Sequence, residues 1–225
     1  VLSISVFEVL WFWVISIGLF FALTLTLAVL IAAWSLGPSR SVFKGDLKHK
    51  VAVKRRLRSG KRLRPFPYVV GLLLLDNGVQ ATLLHRQSHW LLNHHARPLA
   101  ELLHAAAKFA THIDVSPHAR LGPGLAFYHG GGAVIGKGCV AGARLTVCQG
   151  STVVGDGIGD DVFVGAGAVI LSTATIGDRV DVGALSLVKG AVPSDCRAVG
   201  IPATRFLPPT HPRTEMESRS AAQEG

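Results

Sequence analysis

At 225 residues the chain has room for one core of about 100–150 residues plus accessory segments. Its formal charge of +9 suggests nucleic acid only until the charge is located: Arg40 to Arg64 holds eleven Lys or Arg against one acid, Asp46, a net +10 that leaves −1 for the rest. Three cysteines, Cys139, Cys148 and Cys196, have neither the even count of a disulfide framework nor metal-ligand spacing, which points to a reducing compartment.

From the N-terminus, no charged residue occurs between Glu8 and Arg40, and VLWFWVISIGLFFALTLTLAVLIAAW exceeds the roughly 20 apolar residues that cross a bilayer as a helix. Residues 1–38 are therefore expected to hold a transmembrane helix. The run is too long for a signal peptide and lacks a basic region before it. Residues 39–66 read as a basic juxtamembrane linker, suited to anionic lipid and, without interleaved aromatics, not to nucleic acid. The positive-inside rule then places the remainder in the cytoplasm, on the inner membrane. The alternative is a misassigned start on a cytoplasmic enzyme. With Met216 as the only methionine, the chain reads as a fragment, a processed chain or the product of a valine start codon.

Residues 67–112 read as helical: VVGLLLL, a turn at Asp76, Asn77 and Gly78, then VQATLLHRQSHWLLNHH and LAELLHAAAKFA. Leu83, Leu84, Leu91 and Leu92 fit one apolar helix face. His85 and His89 stand four apart, but with no third ligand evident they are expected to pack or cap rather than to bind a metal.

After Ile113 the period becomes six. Apolar residues fall at Val115, Leu121, Phe127, Ile135, Ala141, Val147, Val153, Ile158, Val164, Ile170, Ile176, Val182 and Val188, and glycine follows seven of them. A short strand and a tight turn repeated every six residues is the signature of a parallel β-helix, expected over residues 113–205. The phase slips twice. Phe127 to Ile135 is eight residues, two too many, and Val153 to Ile158 is five, one too few. A solenoid accommodates an insertion by looping it outward, and such loops commonly carry function. The first slip contains His129, in AFYHGGGAVIG.

The glycine-rich GDGIGD at 155–160 precedes no helix, so it is not a dinucleotide fingerprint. Residues 206–225 are polar and expected to be disordered.

LLHRQSHWLL, HIDVSPHARLGPGLAFYHGGGAVIGKGCVAGARLTVCQGSTVVG, VGAGAVIL and VGIPA together resemble the hexapeptide-repeat acyltransferases, in particular their serine O-acetyltransferase branch. The resemblance covers about Val79 to Arg205. It implies a mainly β chain, a left-handed parallel β-helix preceded by short α-helices, assembled as a homotrimer. It further implies an acetyl-CoA-dependent O-acetyltransferase with acetyl-CoA as co-substrate and no metal. His129 matches the family's general base and Asp114 the acid that pairs with it. Gly165, Ala166, Gly167, Gly183, Ala184 and Ser186, with Lys189 near the phosphates, match the cofactor side.

Three places depart from the family pattern. Tyr128 stands where these enzymes carry an aspartate before the base, no long Arg-His loop follows Val154, and the expected membrane span with the basic tract RRLRSGKRLRPFP takes the place of a large N-terminal helical domain that contributes another acid. All three fall on the acceptor side, which points to a saccharide of an exopolysaccharide or envelope precursor as the alternative to serine. Family members that dock into cysteine synthase end in isoleucine and this chain ends in Gly225, so no such complex is expected. From another functional class, the competing reading is a non-catalytic β-helix binding scaffold.

Overall fold

All thirteen positions of the six-residue repeat turn inward, none more than 9% exposed. The computed structural model of the chain describes residues 11–16, 18, 39–57 and 65–208. The chain divides into two units, residues 1–40 and 41–225. In the first, residues 11–16 are helical, with Trp11, Phe12 and Trp13 exposed. Most of the apolar run expected to span a membrane lies outside the described residues, as does most of the expected disordered tail. Among the described residues, no helix is long and apolar enough to cross a membrane.

In the second unit four helices come first: α1 (Ser39–Leu57), α2 (Pro65–Leu75), α3 (Asn77–Asn93) and α4 (Arg97–Thr111). Sixteen described strands follow. They begin with β1 (Asp114–Val115), β2 (Arg120–Leu121), β3 (Ala126–Tyr128), β4 (Val134–Ile135), β5 (Val140–Ala141), β6 (Thr146–Cys148), β7 (Thr152–Val153) and β8 (Gly157–Ile158). They continue with β9 (Phe163–Val164), β10 (Val169–Ile170), β11 (Thr175–Ile176), β12 (Asp181–Val182), β13 (Leu187–Val188), β14 (Ala191–Val192), β15 (Arg197–Gly200) and β16 (Ala203–Leu207).

Every third strand stacks in parallel. One sheet runs β1-β4-β7-β10-β13, a second β2-β5-β8-β11-β14, and a third β3-β6-β9-β12-β15, closed by antiparallel β16. The coils form a left-handed parallel β-solenoid, an exception to the usual right-handed crossover. The last strand reaches Leu207, so the fold extends into the segment expected to be tail.

Most strands place two side chains in the interior, because the strand residue in the repeat position and the residue two before it share a face; β8 and β14 are exceptions, with the exposed Asp156 and Gly190 at the second position. Ile113, Ala119, Leu125, Ala133, Cys139, Leu145, Val162, Ala168, Ala174 and Val180 supply this second row, each 1% exposed or less. The six-residue reading found only the first row, since the second tolerates Ala, Cys and even Ser. The three cysteines are buried free thiols, and burial pushes Cys139 up to about 12.

A solenoid needs its first coil covered, and the helices do this. The expected turn before α3 is tighter than read: Asp76 alone is the N-cap, accepting from Val79 N at 3.1 Å, while Asn77 and Gly78 are already helical. At Gly78 a Cβ would stand 2.8 Å from Phe127 Cβ, so glycine lets α3 seat directly on β3.

The basic tract departs most from expectation. Over Ser39–Leu57 it is a helix and not a linker, with Phe43, Asp46 and Lys50 buried. Arg86 of α3 grips Asp46 through two nitrogens, and Asp46 also accepts from Gly124 N at 2.7 Å and Leu125 N at 2.8 Å. Lys50 donates to Phe127 O and sits 3.1 Å from Asp76 Oδ1. These pairings run between residues tens of positions apart, and no local pattern announces them.

Candidate functional site

The two-residue excess lies where the sequence put it. Tyr128 pairs with Cys148 and Val134 with Thr152, so five residues, 129–133, separate the third sheet from the first in this coil against three, 149–151, in the next. The two surplus residues lie in the turn 129–133. His129 takes a left-handed backbone there, φ 56°, and its ring is exposed. It stands edge-on to Tyr128 at 4.4 Å between centroids and makes no side-chain hydrogen bond among the described residues. Both ring nitrogens therefore face outward without a competing partner. That suits a group that must accept a proton.

Asp114 lies beside this turn, one coil away. Asp114 N donates to Ala133 O at 2.9 Å, Gly132 N donates to His112 O at 2.8 Å, and a Cβ on Gly130 would stand 2.5 Å from Ile113 Cδ1. The expected pairing between Asp114 and His129 is nevertheless not formed. Oδ1 of Asp114 is 2.8 Å from His104 Nε2, and Oδ2 is 3.6 Å from Lys108 Nζ, so helix α4 holds both oxygens. Spacing along the solenoid could not show this, because α4, although it ends only three residues before Asp114, lies outside the repeat.

Below His129 the corner is lined mostly by glycine. Gly132, Gly150, Gly167 and Leu185 succeed one another coil by coil, all with positive φ, and Gly150 N and Gly167 N donate back to the preceding coil at 3.0 and 2.9 Å. Cβ atoms on Gly132 and Gly150 would meet nothing closer than 3.8 Å, whereas one on Gly167 would stand 2.8 Å from Leu185 Cδ2, so the upper part of the strip is open and the exposed Leu185 side chain covers its foot. At about 4.8 Å per coil it extends roughly 14 Å from Gly132 to Leu185. The corner between the second and third sheets uses the same left-handed turn for Arg144, Asp161, Arg179 and Asp195, which pair in alternation. One corner thus carries arginine–aspartate pairs and the other is lined mostly by small residues.

The expected cofactor residues divide accordingly. Gly165, Ala166 and Gly167, and Gly183 and Ala184, come to the glycine-lined corner. A Cβ on Gly165 would stand 2.6 Å from Ala184 N, so these two groups abut across adjacent coils. Ser186 is a correction. It occupies an inward position, 3% exposed, and its Oγ accepts from Gly200 N at 3.2 Å, so it is spent inside the solenoid. Lys189 is exposed but sits at the next corner, between β13 and β14.

Among the described residues, no third metal-ligating side chain gathers with His85 and His89. His89 Nδ1 donates to Pro117 O at 2.8 Å, while His85 is wholly buried with neither ring nitrogen partnered. Desolvation, reinforced by Arg86, holds His85 well below the ordinary histidine range.

A glycine-lined corner below an outward-looped histidine defines a solenoid built to present one ligand-facing edge. Residues 157–190 match the family described as bacterial transferase hexapeptide (six repeats). The serine acetyltransferase of Synechococcus elongatus is 39% identical over 140 residues, 58% of this chain and 57% of that protein. Soybean serine acetyltransferase complexed with serine aligns at TM-score 0.65 and 34% identity, covering 78% of this chain and 72% of that one. A serine acetyltransferase in complex with CoA aligns at TM-score 0.66 and 29% identity, covering 78% and 73%. The chain belongs to the hexapeptide-repeat acyltransferases, in their serine O-acetyltransferase-like branch. It spans a little over half the length of the Synechococcus relative.

Proposed function

We propose that the chain is an acetyl-CoA-dependent O-acetyltransferase in which His129 is the general base. The observation that carries this reading is the outward loop: two surplus residues present an unpartnered imidazole at the head of the glycine-lined corner. The names of its relatives, one of them crystallised with CoA and one with serine, support the same reading.

An acceptor hydroxyl has a pKa far above neutrality, and its attack on a thioester is slow unless a base removes the proton in the transition state. His129 takes that proton as the oxygen bonds to the acetyl carbonyl carbon. Collapse of the tetrahedral intermediate breaks the carbon–sulfur bond, and the imidazolium returns its proton to the departing CoA thiolate. Asp114 orients the imidazole when it turns towards His129. The extended arm of acetyl-CoA lies along the corner of Gly165–Gly167, Gly183 and Ala184, where small residues let it approach the backbone.

For the acceptor, serine follows from the relatives' names. A saccharide hydroxyl is favoured by Tyr128, which sets an aromatic ring rather than a carboxylate beside the base. A site for a zwitterion leaves polar groups unsatisfied unless charges meet them. The homotrimer and a membrane-spanning helix within residues 1–38, with the catalytic domain in the cytoplasm, belong to the same proposal.

CoA release measured with free serine and with a panel of saccharides tests it. Turnover with serine establishes the amino-acid acceptor, and turnover with saccharides alone establishes the alternative. Absence of any acetyl transfer together with retained CoA binding would favour the scaffold reading. Carbonate-resistant membrane association that disappears on deletion of residues 1–38 tests the anchor.

A further inference from the structure

The acid beside the proposed base has three suitors, and α4 holds two of them. His104 Nε2 lies 2.8 Å from Asp114 Oδ1 and Lys108 Nζ 3.6 Å from Oδ2, whereas the His129 imidazole has no hydrogen-bond partner among the described residues. His104 is itself fixed from behind. Its Nδ1 lies 3.9 Å from Glu101 Oε2, Glu101 Oε1 lies 3.5 Å from His118 Nε2, and the imidazole borders a cavity of ≈ 10 Å³ shared with His85, Ser88 and Ala107. The cavity has room for about one water molecule. His104 is 19% exposed, less than either carboxylate it meets, so the pair is part of the α4 docking surface rather than a loose contact.

We propose that His104, assisted by Lys108, is a positioning residue of the acyl-transfer site. It holds the Asp114 carboxylate on α4 and thereby sets how much of the enzyme has Asp114 directed at His129. This rests on the reading of His129 as the base. An Asp114 carboxylate turned to His129 would fix the tautomer and stabilise the imidazolium as the hydroxyl proton arrives, an effect realised in the transition state. Every contact that α4 makes with the carboxylate in the resting chain opposes that turn. Helix α4 also covers the first coil, so a shift in its seating is read directly at the base.

The test is a double-mutant cycle on the full chain, with acetyl-CoA as donor and the best acceptor from the screen. His104→Leu should raise kcat about two- to fivefold, the range expected for losing one partly exposed charge-assisted pair, and leave KM for acetyl-CoA unchanged. Lys108→Met, at a position 54% exposed, should act in the same direction without threatening the fold. In an Asp114→Asn background neither substitution should alter kcat, because the group through which both act has lost its charge. Equal effects in the two backgrounds, or a change confined to KM, would overturn the proposal while leaving the general-base reading standing. A wild-type chain that transfers no acetyl group to any acceptor would remove the general-base reading and this one together, and is recognised before any variant is made.

Discussion

Arg86 and Asp46 form a two-nitrogen ion pair across 40 residues of sequence, Nε to Oδ2 at 2.9 Å and Nη2 to Oδ1 at 3.0 Å, with both side chains buried. Arg86 also donates to Leu121 O and Gly122 O, and Asp46 accepts from Gly124 N and Leu125 N. The pair therefore ties α1, α3 and the first coil into one block. Arg86→Met should cost about 3–5 kcal/mol, measured by denaturant unfolding, because it leaves Asp46 charged and unpaired in the interior. Adding Asp46→Leu should not restore the loss, since two backbone N–H groups would then lack an acceptor.

His129 is exposed and its imidazole makes no hydrogen bond among the described residues, so its replacement separates chemistry from folding. His129→Asn, which tolerates a positive φ, should lower kcat by a factor of about 10²–10⁴. Stability should stay within about 0.5 kcal/mol of wild type. Steady-state CoA release and a thermal melt measure the two quantities. Full turnover in this variant would remove the proposed mechanism.

Gly150 tests whether the glycine-lined corner is a binding surface. A side chain there meets nothing closer than Gly167 Cα at 3.8 Å, but φ is 66°. Gly150→Ala should cost about 1–2 kcal/mol from backbone strain alone. Gly150→Leu should cost a similar amount and, in addition, raise KM for acetyl-CoA while the alanine variant leaves it near wild type. Equal KM in the two variants would place the cofactor elsewhere.

His85 gives the chain a pH dependence of known sign. Burial first, then Arg86, holds its folded pKa below the ordinary value of 6.5. The unfolded chain therefore binds a proton that the folded chain refuses. Stability from this residue is complete above about pH 6.5 and declines as pH falls towards the folded value, by about 1.4 kcal/mol per pH unit. His85→Phe should flatten that slope between pH 6.5 and 5 in urea titrations. An unchanged slope would assign the acid sensitivity to other groups.

The periodic part of the molecule was readable because a solenoid writes its geometry into the sequence once per strand. Each inward position from Val115 to Val188 reports its own burial, and the eight-residue interval at Phe127–Ile135 reports a loop without any need for coordinates. The inward placement of Ser186 is hidden in the sequence for a related reason. Its neighbours Gly183 and Ala184 lie at the glycine-lined corner, and only the second inward row shows that the serine faces the core. The α1 helix was missed because charge density dominates its composition, while the residues that dock it, Phe43, Asp46 and Lys50, are sparse among bases.

Sequence by itself determined the coil, the register and the outward placement of His129, since these follow from side-chain periodicity along a single stretch of backbone. Only the tertiary structure decided the company that Asp114 keeps. Its partners come from α4, where packing against the first coil brings His104 and Lys108 within reach. Electrostatic pairing depends on distance through space, and separation along the chain does not encode it.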